Sequence, residues 1–373
     1  MKRELTDLGK TLALKLFSRY ECHVSIRLLL EHTLGGYPLA SILDFYKFTG
    51  LHCASIFGLV EVASSLATMY GVNINGKDET GATPFLWAAM GGHEEVVKWL
   101  LKQEDIDPTC PDHSGRTPIS WAAGNGSEAV VKLLLERKAL SPHKLDYSNL
   151  TRILLATQNR RKALPKFVLW PKVTGPDYPD HSCRTPISWA AGNGQEGVVK
   201  ILLGRKDVNP DKTDNRDRAP LSWAAKNGYG AVAELLLERG EVDPDRPAVG
   251  DNVPLSLAAK NGHEAVVKLL LGRKDVNPDR PDYKDRTPIS LAAEKGHEEV
   301  VKLLLGHEDV KPDRPAKWGQ TPISLAAENG HEAVVKLLLE REDVDPDRPD
   351  KWGRTPISLA IRNGHEVVVK LLL

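Results

Sequence analysis

Aromatic residues make up only 6% of the 373-residue chain, and cysteine occurs four times. Cys22, Cys53, Cys110 and Cys183 stand far apart, with no C-x-x-C pair and no framework spacing, which predicts free thiols in a reducing compartment. Net charge is also missing, since 50 Lys+Arg face 50 Asp+Glu. That removes the whole-chain pull toward phosphate backbones or anionic lipid, so neither nucleic acid nor membrane is an expected partner. No apolar run approaches the ~18 residues of a membrane span. The opening MKRELTDLGKTLALKLFSRY mixes acids and bases where a signal peptide needs an apolar core. A soluble, non-secreted protein is expected, cytoplasmic or nuclear.

What the chain has in abundance is repetition. Thr-Pro recurs at Thr83, Thr117, Thr185, Thr287, Thr321 and Thr355, each 34 residues or a multiple of 34 from the last. Ala219-Pro220 and Val253-Pro254 keep the proline, Thr49 opens TGLHCASIFG, and Thr151 keeps the phase in TRILLATQNRRKAL. Ten units therefore cover 49–373, starting near 49, 83, 117, 151, 185, 219, 253, 287, 321 and 355. Five residues after each start stands an alanine: Ala54, Ala88, Ala122, Ala156, Ala190, Ala224, Ala258, Ala292, Ala326 and Ala360. A column that admits no larger side chain marks a close approach between elements.

Thr is a good N-cap and Pro loses no hydrogen bond at the first helical position, so TPISLAA starts a short helix. Asn-Gly, as at Asn329-Gly330, stops it by tolerating positive φ. HEAVVKLLL forms a second helix with Val and Leu on one face and a Glu-to-Lys i,i+4 pair on the other, as in Glu264 with Lys268, Glu298 with Lys302 and Glu332 with Lys336. The Pro-, Asp- and Gly-rich remainder, such as EREDVDPDRPDKWGR, reads as an extended turn or finger. Neither helix reaches the ~12–15 residues of marginal independence, so stability must come from stacking pair on pair. The fold class is all-α, a solenoid of about ten helix-turn-helix units with finger-like β-turn loops.

TGLHCASIFG and the recurring TPISLAAENGHEAVVKLLL resemble the ankyrin motif over about 87% of the chain (325 of 373 residues). The wording ISLAAENGHEAVVKLLLEREDVDPD is similar to the ankyrin arrays of fungal NACHT-type receptors and their stand-alone relatives. The chain departs from the family by Ser120, Ser188, Ser222, Ser256, Ser290, Ser324 and Ser358 in place of the first-helix histidine, and by one extra finger residue per unit. Both bear on the hydrogen bonding inside each unit.

Two regions break the pattern. The unit at Thr151 carries Arg152, Thr157, Arg160 and the helix-breaking Pro165, which predicts a soft joint near 151–184, or a decayed repeat. Residues 1–48 lie outside the period and read as an N-terminal helical cap. The final Leu371-Leu372-Leu373 lies inside a second helix without a cap, so self-association through that helix, or a longer parent chain, is expected.

Catalytic and cofactor signatures do not assemble. Glu4 stands where a Walker A loop ending at Lys10-Thr11 needs glycine, and Arg348 and Arg354 occupy the glycine and glutamate positions of a calcium loop begun at Asp343. His263, His297, His331 and His365 form a ladder whose ~8–10 Å rungs are too far apart to share a metal, and a bond to the preceding turn is their expected role. No cofactor or metal is expected, and an enzyme in a groove pocket near 151–184 is the alternative to an interaction scaffold.

The resemblance implies a ligand in the groove between finger tips and first helices. Carried over by position, the candidate partner-binding residues are the tips Tyr283, Lys284, Lys317, Trp318, Lys351 and Trp352, with Arg218, Arg286 and Arg354 just before the helices and Lys226, Lys260, Glu294 and Glu328 late in them. Trp beside a cation is the usual composition of an interface anchor. The implied ligand is an acidic or extended protein segment. Trp87, Trp121, Trp189 and Trp223 share a column with Leu257, Leu291, Leu325 and Leu359 and are expected in the core.

Overall fold

Each Thr-Pro start becomes the N-terminus of a short helix. Thr83 accepts from Leu86 N at 3.2 Å, Thr185 from Ser188 N at 3.3 Å and Thr321 from Ser324 N at 3.3 Å, with Pro in the first turn each time. The computed structural model describes residues 48–68, 72–136 and 175–373. The cap expected over 1–48 lies outside the described residues except for Phe48, and so does the degenerate unit at Thr151, with its expected joint and pocket, except for residues 175–184.

Eighteen helices occur among the described residues, with no strand. The first six are α1 (Gly50–Ile56), α2 (Val60–Ala67), α3 (Pro84–Met90), α4 (Glu94–Leu101), α5 (Pro118–Gly124) and α6 (Glu128–Glu136). The next six are α7 (Pro186–Gly192), α8 (Glu196–Leu203), α9 (Pro220–Asn227), α10 (Gly230–Leu237), α11 (Pro254–Lys260) and α12 (Glu264–Leu271). The last six are α13 (Pro288–Lys295), α14 (Glu298–Leu305), α15 (Pro322–Glu328), α16 (Glu332–Leu339), α17 (Pro356–Asn363) and α18 (Glu366–Leu372). The chain divides into two units, residues 1–122 with 127–178, and 179–373 with 123–126.

In the first unit α1 packs on α2 and α3, and α2 on α4. Leu51, Ala54, Val62, Ala63 and Leu66 form one cluster with Trp99 against its edge. In the second unit the stacking runs first helix on first helix, α7 on α9 on α11 and onward to α17, and second helix on second helix, α8 on α10 and onward to α18. The alanine column makes that spacing possible: Ala224, Ala258, Ala292, Ala326 and Ala360 are fully buried. Val266, Val267 and Leu270 of α12, with their equivalents in α14 and α16, are excluded from water on the other side. Burial at ~25 cal/mol per Å² between neighbours is what sustains helices of seven to nine residues, each too short to hold alone. The result is a helical repeat solenoid.

Helix pairs are joined by a left-handed glycine and tied to their neighbours by the histidine ladder. Gly296 has φ +74°, and a Cβ built there would lie 2.5 Å from His331 Nδ1. The His331 ring fills that space and reaches Glu294 O at 3.1 Å. His263, His297 and His365 make the same contact with Lys226 O, Lys260 O and Glu328 O at 2.9, 3.0 and 3.1 Å. The ladder thus bonds the second helices α12, α14, α16 and α18 each to the first helix of the preceding repeat. On the outer face, Lys302 closes on Glu298 and Glu299 at 2.7 Å each. Cys53, Cys110 and Cys183 are free thiols.

Candidate functional site

Most of the fingers are built by an aspartate five residues before the helix start, with Ala248 and Ala316 in its place before α11 and α15. Asp350 accepts from Trp352 N and Arg354 N through one oxygen, each at 2.9 Å, and its own N–H donates to Arg354 O at 2.9 Å. Asp214 and Asp282 do the same with Arg216 and Arg218, and with Lys284 and Arg286. Closing so tight a loop puts the residue two before each helix start at positive φ. Gly319 and Gly353 serve there, but so do Cys183, Asp217, Asp251 and Asp285.

Fingers also bond to one another. Each tip donates its N–H to the carbonyl of the preceding finger: Asn215 to Ser182, Val249 to Arg216, Tyr283 to Gly250, Lys317 to Lys284 and Lys351 to Trp318, at 2.9–3.2 Å. In the second unit the tips thereby form one continuous row. Tyr283 is 56% exposed, Trp318 39% and Trp352 60%. The two tryptophan rings lie 6.4 Å apart at 35°, Lys284 Nζ stands 5.8 Å from the Trp318 ring, and Arg354 Cζ is 4.7 Å from that of Trp352. Lys317 and Lys351 are exposed beside them.

The other candidates play different parts. Arg218, Arg286 and Arg354 turn back onto the buried carboxylates of Asp214, Asp282 and Asp350 at 2.7–2.8 Å, so their charge is largely offset within the finger. Burial alone would raise the Asp350 carboxyl, but Arg354 and the two backbone N–H groups hold it below the ordinary carboxylate range. Glu294 bridges Arg286 at 2.9 Å and Lys295 at 3.2 Å, and Glu328 accepts from Gln320 at 3.3 Å. Lys226 and Lys260 are exposed. The carbonyls that the histidine ladder holds are those of Lys226, Lys260, Glu294 and Glu328, which fixes the late turn of each first helix in the row.

The tryptophan column corrects the expectation of a core position. Trp87, Trp121, Trp189 and Trp223 are half-buried between first helix and finger. Trp87, Trp121 and Trp189 donate Nε1–H to Asp78, Asp112 and Asp180 at 2.7, 2.9 and 3.0 Å. Arg116 lies over Trp121 at 3.4 Å, and Arg184, itself buried, stacks between Trp189 at 3.6 Å and Trp223 at 3.9 Å. The missed signal was the Asp nine residues before Trp87, Trp121 and Trp189, because an indole N–H out of water needs an acceptor. Arginine takes the aspartate instead in two of the leucine units, as Arg286–Asp282 and Arg354–Asp350, and also before Trp223, where Arg218 holds Asp214 and the buried indole N–H has no partner. Leu291, Leu325 and Leu359 are buried, and Leu257 is half-buried.

Among the described residues no group of His, Cys, Asp and Glu could hold a metal ion, and no helix is long and apolar enough to cross a membrane. A family model described as "Ankyrin repeats (3 copies)" matches residues 65–146, 148–248, 243–316 and 307–373. None of the curated proteins matches the chain.

Proposed function

The chain belongs to the ankyrin-repeat family, whose repeats generally mediate protein–protein interaction, and from that premise we propose that it is a non-enzymatic scaffold or sensor module. It binds a protein segment along the finger tips and first helices of repeats 219–373, in a cytoplasmic or nuclear setting. The observation that carries the reading is the row of exposed Tyr283, Trp318 and Trp352 interleaved with Lys284, Lys317 and Lys351. Large aromatics that the fold leaves uncovered, on tips fixed by backbone bonds, are a preorganised contact surface. A sensor role, like that of the fungal NACHT-type receptors its repeats resemble, rests on the wording of those repeats.

The test is a photo-reactive side chain placed at Lys351 on the tips or at Lys302 on the outer helix face, in the cell of origin. A protein adduct from Lys351 and none from Lys302 is the expected result. Adducts from Lys302 alone would move the site off the fingers. Self-association is proposed through the C-terminal helix α18, on which Val367 is 45% exposed. Sedimentation of Val367→Asp against the parent chain checks it, with loss of a dimer expected.

A further inference from the structure

One carboxylate oxygen in repeat 219 has two donors competing for it. In Asp78, Asp112, Asp180, Asp214, Asp282 and Asp350, Oδ1 accepts backbone N–H groups of the finger, which leaves Oδ2 for a side chain. Oδ2 of Asp78, Asp112 and Asp180 accepts the indole N–H of Trp87, Trp121 and Trp189. Oδ2 of Asp282 and Asp350 accepts from Arg286 and Arg354, in repeats whose column holds Leu291 and Leu359, which have nothing to donate.

Repeat 219 carries both kinds of donor. Arg218 donates to Asp214 Oδ2 through Nε at 2.9 Å and Nη2 at 2.8 Å, and Trp223 Nε1–H is left buried with no partner. A buried donor without an acceptor works against the arrangement that strands it. Repeat 185 shows the other solution on the same framework. There Trp189 holds Asp180 at 3.0 Å, and Arg184 lies over the rings of Trp189 and Trp223 instead. Exchange between the two needs no new backbone, since Asp180 and Asp214 accept the finger N–H groups alike, at 2.8–3.0 Å.

The surroundings of Trp223 say what would drive the exchange. Arg184 Cζ and Arg218 Cζ each lie 3.9 Å from its ring and Lys226 Nζ lies 5.5 Å from it, so three cations gather on one indole. Lys226 is exposed. A guanidinium leaving a carboxylate needs an equivalent acceptor, and an oxyanion beside Lys226 supplies one. Because it engages only the released arginine, such an anion shifts the balance toward release. Arg286 and Arg354 have no such exit, as their departure would leave Asp282 and Asp350 buried and unpaired.

We propose that repeat 219 holds a latched anion-binding site: a carboxylate or phosphate group draws Arg218 off Asp214, Trp223 N–H takes the vacated Oδ2, and Arg218 and Lys226 hold the anion. The site lies within the surface read above as partner-binding and rests on that reading for the source of the anion. The latch itself is tested with free ions.

The experiment follows the eight indole N–H signals of the isotope-labelled full chain by NMR. Inorganic phosphate and acetate are the probes, with sodium chloride at matched ionic strength as the reference. Trp223→Phe assigns the Trp223 signal by its loss. Without a probe that signal is expected upfield of those of Trp87, Trp121 and Trp189, and saturating phosphate should move it downfield into their range. The same shift with acetate shows that carboxylates operate the latch; a shift with phosphate alone restricts it to phosphate. In Arg218→Leu the signal should sit downfield from the start and ignore phosphate. Trp223→Phe keeps a ring without the donor, so phosphate binding followed at the Arg218 Nε–H should weaken at least about tenfold, as for a lost bond to a charged group. Circular dichroism and urea midpoints check that both variants keep the fold, and the parent titration decides alone where they do not. A Trp223 signal unmoved by both probes overturns the proposal. So does an unaltered phosphate shift in Arg218→Leu, a Trp223 signal that stays upfield there, or undiminished phosphate binding by Trp223→Phe. The adducts at Lys351 and Lys302 decide the partner-binding reading separately.

Discussion

Thr287 Oγ1 and Ser290 Oγ lie 2.9 Å apart, both buried, at the start of α13. The same pair recurs as Thr117 with Ser120 and Thr185 with Ser188, both at 3.0 Å. The serine that replaces the family histidine thus finds its partner in its own cap. Where Ala219 and Val253 remove the threonine, Ser222 Oγ and Ser256 Oγ are buried with no partner. Val253 has φ −91° and ψ 163°, close to the −83° and 166° of Thr287, so threonine fits there without strain. Val253→Thr is expected to stabilise by about 1 kcal/mol through the cap and the restored serine bond. Ser256→Ala should be neutral or slightly stabilising, whereas Ser290→Ala should cost about 1 kcal/mol. Urea midpoints of the three variants check the ordering.

The glycine and histidine of adjacent repeats form a second coupled pair. Gly296→Ala suffers twice, from its left-handed φ and from the 2.5 Å approach of its new Cβ to His331 Nδ1. A loss of about 1–3 kcal/mol is expected. His331→Ala gives up the bond to Glu294 O and costs about 1–2 kcal/mol. Removing the ring also clears the space the methyl needs. The double variant should therefore lose less than the two single losses added, by more than about 0.5 kcal/mol. Strict additivity in a double-mutant cycle would refute the steric coupling.

The solenoid was legible because its constraints are local and recur: the Thr-Pro cap at six of the ten starts, the alanine column at all ten, and the glycine between helices in every unit but the one at Thr151. The placement of Trp189 was not, because its hydropathy matches a core column while its N–H is satisfied by Asp180, nine residues away in a finger with no helical period. The direction of Arg286 was hidden for a related reason. Its charge reads as a surface feature, yet Asp282 and Glu294 both draw it inward.

Finger closure sets positive φ two residues before each helix, whatever side chain stands there. Asp285 has φ +58° and is exposed, while Gly353 at φ +73° has nothing within 4 Å of a built Cβ. The two positions therefore isolate backbone strain from packing. Asp285→Gly is expected to stabilise by a few tenths to about 1 kcal/mol, and Gly353→Ala to destabilise by about 1 kcal/mol. Thermal unfolding of both variants is the check, and equal signs for the two would break the argument.

His52 keeps the family histidine that other repeats replace, and it is fully buried. Nδ1 accepts from Thr49 N at 3.0 Å, which leaves Nε2 to donate to Gly76 O at 3.1 Å. A neutral ring satisfies both bonds, and protonation of Nδ1 would break the first. Burial lowers its pKa from 6.5, against the opposing pull of Asp78. A lowered histidine pKa means that the unfolded chain binds the proton more tightly than the folded one. Stability from this group is therefore complete above about pH 6.5 and declines as the pH falls from there toward the folded-state value, by at most about 1.4 kcal/mol per pH unit. Amide exchange in α1 should accelerate between pH 7.5 and pH 5.5 beyond its intrinsic pH dependence. His52→Gln, which can accept from Thr49 but cannot titrate, should be less stable at neutral pH and show none of that extra dependence. If α1 in the parent chain followed the glutamine variant across the range, the histidine would be titrating as it does in the unfolded chain, and the neutral-ring assignment would fail.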